Sequence, residues 1–244
     1  MFKGVLSMLV KELLSGLRKD ITKKKTNVKK EEVVKEKESV EAGPVITIAR
    51  EFGSGGREIA MKVSQKLKFD FYDKEKIIET AKKNGIDTSL FEQLDESKID
   101  SFWYQVSPKE YDIPENSDSY EVKVNNDKMF MIQSDTIREI AQKGNAVFVG
   151  RCASYILRNT AKKVFITAGL EDKIKRVEKR YGLSRDKAIN LIQTADKKRE
   201  NYYDYYTNTK WNAPENYDLI IDVSKTGIDG AVNKIVKYVN ENKK

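Results

Sequence analysis

Histidine is absent from this chain of 244 residues, and cysteine occurs once, as Cys152. Without histidine there is no imidazole base, no serine–histidine pair and no histidine-ligated metal. A single thiol excludes an intramolecular disulfide and any multi-cysteine zinc site, and it suits a reducing cytoplasm. No run reaches the roughly 20 apolar residues that a bilayer-spanning helix needs. The short apolar start is broken by Lys11 and Glu12, with no small-residue cleavage site after it, which argues against a secretory signal. What remains is carboxylates, lysines and arginines, hydroxyls and backbone dipoles. That inventory suffices for phosphoryl transfer, which works by positioning and charge neutralisation.

Charge is plentiful, with 46 Lys and Arg against 38 Asp and Glu and a formal net charge of +8. Residues 1–43 hold 11 basic against 7 acidic side chains, so half of the excess lies there. The remainder is mildly basic, which suits an anionic ligand such as a nucleotide better than nucleic acid. Basic and aromatic residues interleave only at Lys197–Tyr206, which is weak support for a nucleic-acid surface.

Phe2, Val5, Leu6, Leu9, Val10, Leu13, Leu14 and Leu17 recur near helical spacing and predict an amphipathic helix over 2–17. Such a helix either docks on its own domain or another copy, or binds a membrane surface or protein partner. Residues 18–43 are rich in Lys and Glu, have little to bury, and read as a charged tether ending at Gly43-Pro44. From there, strands are expected at 45–49, 69–73, 146–149, 163–168 and 217–222. Helices are expected at 56–67, 74–83, 128–143, 170–181, 184–203 and 228–240. The alternation implies an α/β fold, a parallel sheet with helices on both faces. Residues 86–127, with two prolines and many Asn, Asp and Ser, are expected to form an irregular insert over a site.

The densest signal is Val45–Ala60, where a β-branched run meets Gly53-Ser54-Gly55-Gly56 and then a helical pattern. Strand, flexible turn and helix start make a phosphate-binding loop: backbone N–H groups converge on an anion, and the helix dipole favours it. Right-handed crossovers bring Asp73 and Gly150-Arg151 to the same sheet edge.

These pieces, ITIAREFGSGGREIA, FDFYDKEKI, VFVGRCASYIL, VFITAGLEDKIKRV, DKKRENYY and NYDLIIDV, resemble the cytidylate kinase family, most closely its cytidylate kinase-like branch. The likeness runs from about Val45 to Val239. It implies a P-loop kinase-type sheet with lid helices, and transfer of the ATP γ-phosphate, with Mg²⁺, to CMP, dCMP or a related phosphorylated acceptor. It implies that Gly53, Ser54, Gly55, Gly56 and Arg57 hold donor phosphates. The family's loop lysine is replaced by Gly56 and its opening glycine by Arg50. Arg57 then either takes the lysine's role or points into solvent. Asp73 would orient Mg²⁺ or the acceptor, and it also suits a helix N-cap. Arg138 and Arg151 would contact the acceptor, although Arg138 also reads as an ordinary surface arginine. Asp196 and Arg199 match the lid, with Arg199 bracing the transferring group. The tyrosines after Arg199 either stack on a base or pack the lid. A second reading keeps the fold without the chemistry, as a nucleotide-binding regulatory module tethered by its N-terminal helix.

Overall fold

The computed structural model describes residues 43–86 and 117–242, with side chains in the second stretch described from 127 onward. The expected helix at 2–17, the tether up to residue 42, and positions 87–116 of the expected insert lie outside the described residues. Among the described residues there are five strands: β1 (Val45–Arg50), β2 (Asp70–Tyr72), β3 (Ala146–Val149), β4 (Lys162–Thr167) and β5 (Leu219–Asp222). They pair in parallel in the order β2-β3-β1-β4-β5. β1 is central, and Val45 through Ala49 are all buried, as a strand covered on both faces requires.

The long helices are α1 (Gly56–Leu67), α2 (Lys74–Lys83), α3 (Ser117–Gln142), α5 (Leu170–Tyr181), α6 (Arg185–Thr207) and α7 (Val223–Glu241), with a single turn, α4 (Ala153–Ile156). Ile59 and Val63 of α1 and Val232 and Ile235 of α7 close over Ile46, Ile48, Val164 and Ile166 on one sheet face. On the other face Ile77 of α2 and Ile137 and Ile140 of α3 pack around Phe148. Each such fully buried side chain contributes about 1.5–3 kcal/mol of transfer free energy.

Several expected boundaries move: the helix expected to end at 203 runs on to Thr207, and the strand expected from 217 starts at Leu219. The helix expected from 128 begins at Ser117. The Asn, Asp and Ser residues there read as irregular, yet each costs a helix only about 0.7 kcal/mol or less relative to alanine. The last helix is expected from 228. A helical turn at 223–226 precedes it, separated by Gly227 at φ 68°, ψ 172°. Among the described residues no helix is long and apolar enough to cross a membrane.

Candidate active site

β1 ends in Arg50, and the chain turns through Glu51–Gly55 into α1. Gly55 is left-handed at φ 85° and stands at the N-cap of α1, where no side chain caps the helix. Ser54 is buried, and its hydroxyl donates to the Glu51 carbonyl at 2.8 Å. Gly56 N donates weakly to Ser54 Oγ at 3.4 Å.

The back of this loop is held by α5 and α6. Phe52 N donates to Asp196 Oδ1 at 2.6 Å, and Arg176 Nη1 donates to the Gly53 carbonyl at 2.6 Å. Arg199 Nη1 donates to the Arg50 carbonyl and to Asp196 Oδ1, both at 3.1 Å. Glu51 Oε2 accepts from Thr167 Oγ1 at 2.7 Å and Lys173 Nζ at 3.0 Å. Burial pushes the Asp196 carboxyl up, against the Phe52 N–H and the Arg199 charge. Burial pushes the Arg199 guanidinium down, against Asp196.

A cleft of about 470 Å³ opens at the ends of β1 and β3, and Gly53, Ser54, Gly55 and Gly56 of the expected phosphate loop are not among the residues that line it. Arg50, Arg57, Arg151 and Arg199 all line it, and so does Asp73. Asp73 N-caps α2, with Oδ1 accepting from Lys76 N at 3.2 Å. Its Oδ2 accepts from Arg57 Nη2 at 2.7 Å. The expected cap and the expected cleft position therefore coincide in one residue. Arg57 is half exposed, on Asp73 and over the Phe71 ring.

Arg151 follows β3 in a left-handed run of Gly150, Arg151 and Cys152. For a residue with a Cβ that conformation costs on the order of 1–3 kcal/mol, and such strain clusters at functional sites. It aims Arg151 at Gln133, where Nε donates to Oε1 at 2.7 Å, and over the Tyr202 ring at 5.0 Å. Gln133 is 3% exposed and lines the cleft, and its Nε2 has no hydrogen-bond partner among the described residues. Cys152 is buried, and burial pushes its thiol well above the ordinary range.

The structure thus brings Arg57, Asp73, Arg151 and Arg199 to one cleft, with Asp196 behind it. Arg138 is not among the cleft residues; it is half exposed and paired with Asp135 at 2.8 Å. Of the tyrosines, Tyr202 and Tyr203 line the cleft, while Tyr206 stacks on Phe130 at 3.9 Å. Sequence reasoning missed Arg50, Glu51, Lys173 and Gln133 as members of this region. A buried glutamine in a helix and an arginine in place of a loop glycine were the available signals.

A cytidylate kinase-like family model matches residues 45–225. The chain belongs to that family. Among curated proteins it is similar to the cytidylate kinase of Methanocaldococcus jannaschii, 31% identical over 111 residues, which is 43% of this chain and 62% of that one. The cytidylate kinase of Pyrococcus horikoshii is 35% identical over 100 residues, 41% of this chain and 51% of that one. The chain therefore spans only about half to three-fifths of the curated relatives it matches. Among solved structures, an uncharacterized protein from Eubacterium ventriosum superposes with a TM-score of 0.61 at 27% identity, covering 82% of this chain and 99% of that one.

Members of this family that use ATP do so with Mg²⁺, and the cleft fits that ion in one respect. Mg²⁺ on a nucleotide keeps most of its waters and takes one or two carboxylates. Asp73 and Glu75 both line the cleft. Among the described residues no group of three or more His, Cys, Asp or Glu is placed to hold a metal.

Proposed function

We propose that this cytidylate kinase-like protein is a phosphotransferase that moves the γ-phosphate of ATP to a phosphorylated acceptor, CMP or dCMP foremost. The observation that carries the reading is the convergence of Arg50, Arg57, Arg151 and Arg199 on one cleft, Arg57 reaching it from the first turn of α1. Four guanidiniums facing one cavity suit a ligand carrying several negative charges, and two phosphate groups meeting in line supply them. The glycine loop and the start of α1 would hold the donor phosphates. Asp73 would hold Mg²⁺ through water, and the ion would neutralise phosphate charge. Arg151 and Gln133 would face the acceptor, and Arg199 would brace the transferring group from the lid. No histidine base is needed, because a monophosphate oxygen is already ionised.

The test is ADP release from MgATP with each nucleoside monophosphate in turn and a control without acceptor. Stimulation by CMP or dCMP is expected. No stimulation by any monophosphate, with ATP still bound, would replace this reading by the regulatory module. Two observations favour that second reading. Position 56, where the family's lysine stands, is glycine, and Phe52 N–H is already taken by Asp196.

A further inference from the structure

We propose that Arg50 is the phosphate-binding cation of the glycine loop, and that it and Gly56 have exchanged the roles that lysine and glycine hold elsewhere in such loops. The inference rests on the phosphate-binding half of the proposed function and not on the identity of the acceptor.

The first support is steric. A Cβ on Gly56 would lie 2.4 Å from Arg50 Cβ and 2.9 Å from Arg50 Cγ. A side chain at 56 and an arginine at 50 cannot both be present without one being displaced. The glycine at 56 is therefore the space through which the Arg50 stem passes, rather than a bare loss of a lysine. A Cβ on Gly150 would lie 2.0 Å from Arg50 Nη1, and Gly150 also has φ 72°. The guanidinium thus crosses from the end of β1, over the start of α1, to the turn after β3. Two glycines, from two different strand ends, shape one slot for one side chain.

The second support is electrostatic. Among the described residues the Arg50 guanidinium has neither a hydrogen bond nor an ion pair, although it lines the cleft. The charges that act on it are Arg199, Arg151 and Arg57, all of its own sign, and Asp196. Asp196 is already engaged with Phe52 N and Arg199. Burial first, and then these neighbouring guanidiniums, push the Arg50 pKa down to about 9, so the group stays charged at neutral pH in a setting that disfavours charge. A half-buried cation among cations is costly to a protein unless an anion completes it. Phosphate oxygens arriving at the loop would do so, and the Arg fork could hold two of them at once.

The obvious alternative is that Arg50 merely fills space. The two roles make opposite forecasts for the free protein. A space-filling arginine stabilises it, whereas an uncompensated cation does not. The test is calorimetric titration with inorganic tripolyphosphate and with MgATP, alongside thermal unfolding with and without each ligand. The variants are Arg50→Met, Gly56→Lys and the double exchange Arg50→Gly/Gly56→Lys. Arg50→Met should weaken tripolyphosphate binding by about 100-fold or more, the loss of two charge-assisted hydrogen bonds. Its unfolding temperature without ligand should equal or exceed that of the unaltered protein. Gly56→Lys alone should lower the unfolding temperature, and adding Arg50→Gly should restore both fold and binding to within about tenfold.

Arg50→Met binding tripolyphosphate as tightly as the unaltered protein would overturn the inference. So would a fall in its ligand-free unfolding temperature, and so would a double exchange that binds no better than Arg50→Met. Arg50-dependent tripolyphosphate binding without transfer to any monophosphate would support the inference and sink the transferase reading. Normal transfer by Arg50→Met would do the reverse.

Discussion

The two sides of the glycine loop are built on opposite terms. Behind it, polar groups are matched: Phe52 N–H with Asp196, the Gly53 carbonyl with Arg176, Glu51 with Lys173 and Thr167. In front of it, groups wait for partners. Among the described residues the Arg50 guanidinium makes no hydrogen bond or ion pair, and Gln133 Nε2 and Thr47 Oγ1 are buried without hydrogen bonds. Satisfied buried networks fix geometry, while unsatisfied buried groups are rare and call for an explanation. The contrast separates the part of the molecule that sets the loop's shape from the part that a ligand completes. It also says where substitutions should cost stability and where they should cost function.

The largest effect is expected at Arg199, which touches both sides. It clamps the Arg50 carbonyl from behind and lines the cleft in front. Arg199→Ala should lower the turnover number for ADP formation by a factor on the order of 10³, in keeping with other cations that brace a transferring phosphoryl group. Steady-state rates at saturating nucleotide check this. A fall of less than about tenfold would confine Arg199 to the clamp.

Next is Lys173, on the satisfied side. It is 9% exposed, 3.0 Å from Glu51 Oε2 and 3.9 Å from Asp196 Oδ2. Lys173→Met would leave two partly buried carboxylates with one cation fewer, a loss of about 3 kcal/mol or more. Urea unfolding measures it. The loss should shrink in acid. Burial already holds the Asp196 pKa above its unfolded value, so the native state takes up the proton first. Stability tied to this group therefore falls as pH rises through its folded pKa and recovers as pH drops. A loss independent of pH would mean that the lysine acts by packing alone.

Gln133 sharpens the other side of the comparison. Its Nε2 has no partner among the described residues but its Oε1 accepts from Arg151 Nε, so Gln133→Leu should lower ligand-free stability by about 1–2 kcal/mol, the bond lost less the burial cost relieved. The acceptor KM should rise about tenfold, the worth of one hydrogen bond, with turnover little changed. An unchanged KM would remove Gln133 from acceptor binding.

These sites mark what one sequence can reveal. The sheet was legible because β1 through β5 are short apolar runs set between helical patterns, and the loop was legible because Gly53–Gly56 follow a strand. Asp73 was legible because cap and strand end coincide there. Glu51 with Lys173 and Phe52 with Asp196 were not, because 122 and 144 residues separate the partners. Arg50 was visible as a departure from the family loop, but its direction was not. Only the packing of its stem on Gly56 relates the two departures from the family loop, and only its tip on Gly150 ties them to the turn after β3. Arg138 failed for the converse reason, since helical position alone left its direction unspecified and it pairs locally with Asp135.

The smallest effect tests a pair at the rim of the cleft. Burial works against the Asp73 charge, but hydrogen bonds from Arg57 and from Lys76 N outweigh it and hold the carboxyl below its ordinary range. A carboxyl with a depressed folded pKa contributes stability above its unfolded pKa, near 3.9, and that stability is lost as pH falls toward the folded value. Arg57 is 51% exposed on its side chain, so water and salt screen the pair, and its worth is under about 1 kcal/mol. Arg57→Ala should therefore leave unfolding at neutral pH almost unchanged and reduce its sensitivity to acid below about pH 4. Titrating Asp73 by carbon NMR in both proteins decides the matter. Its pKa should rise when Arg57 is removed, yet stay below the ordinary value because the Lys76 N–H still caps it. If the pKa does not move, Arg57 does not face Asp73 in solution, and its guanidinium is available to the phosphates instead.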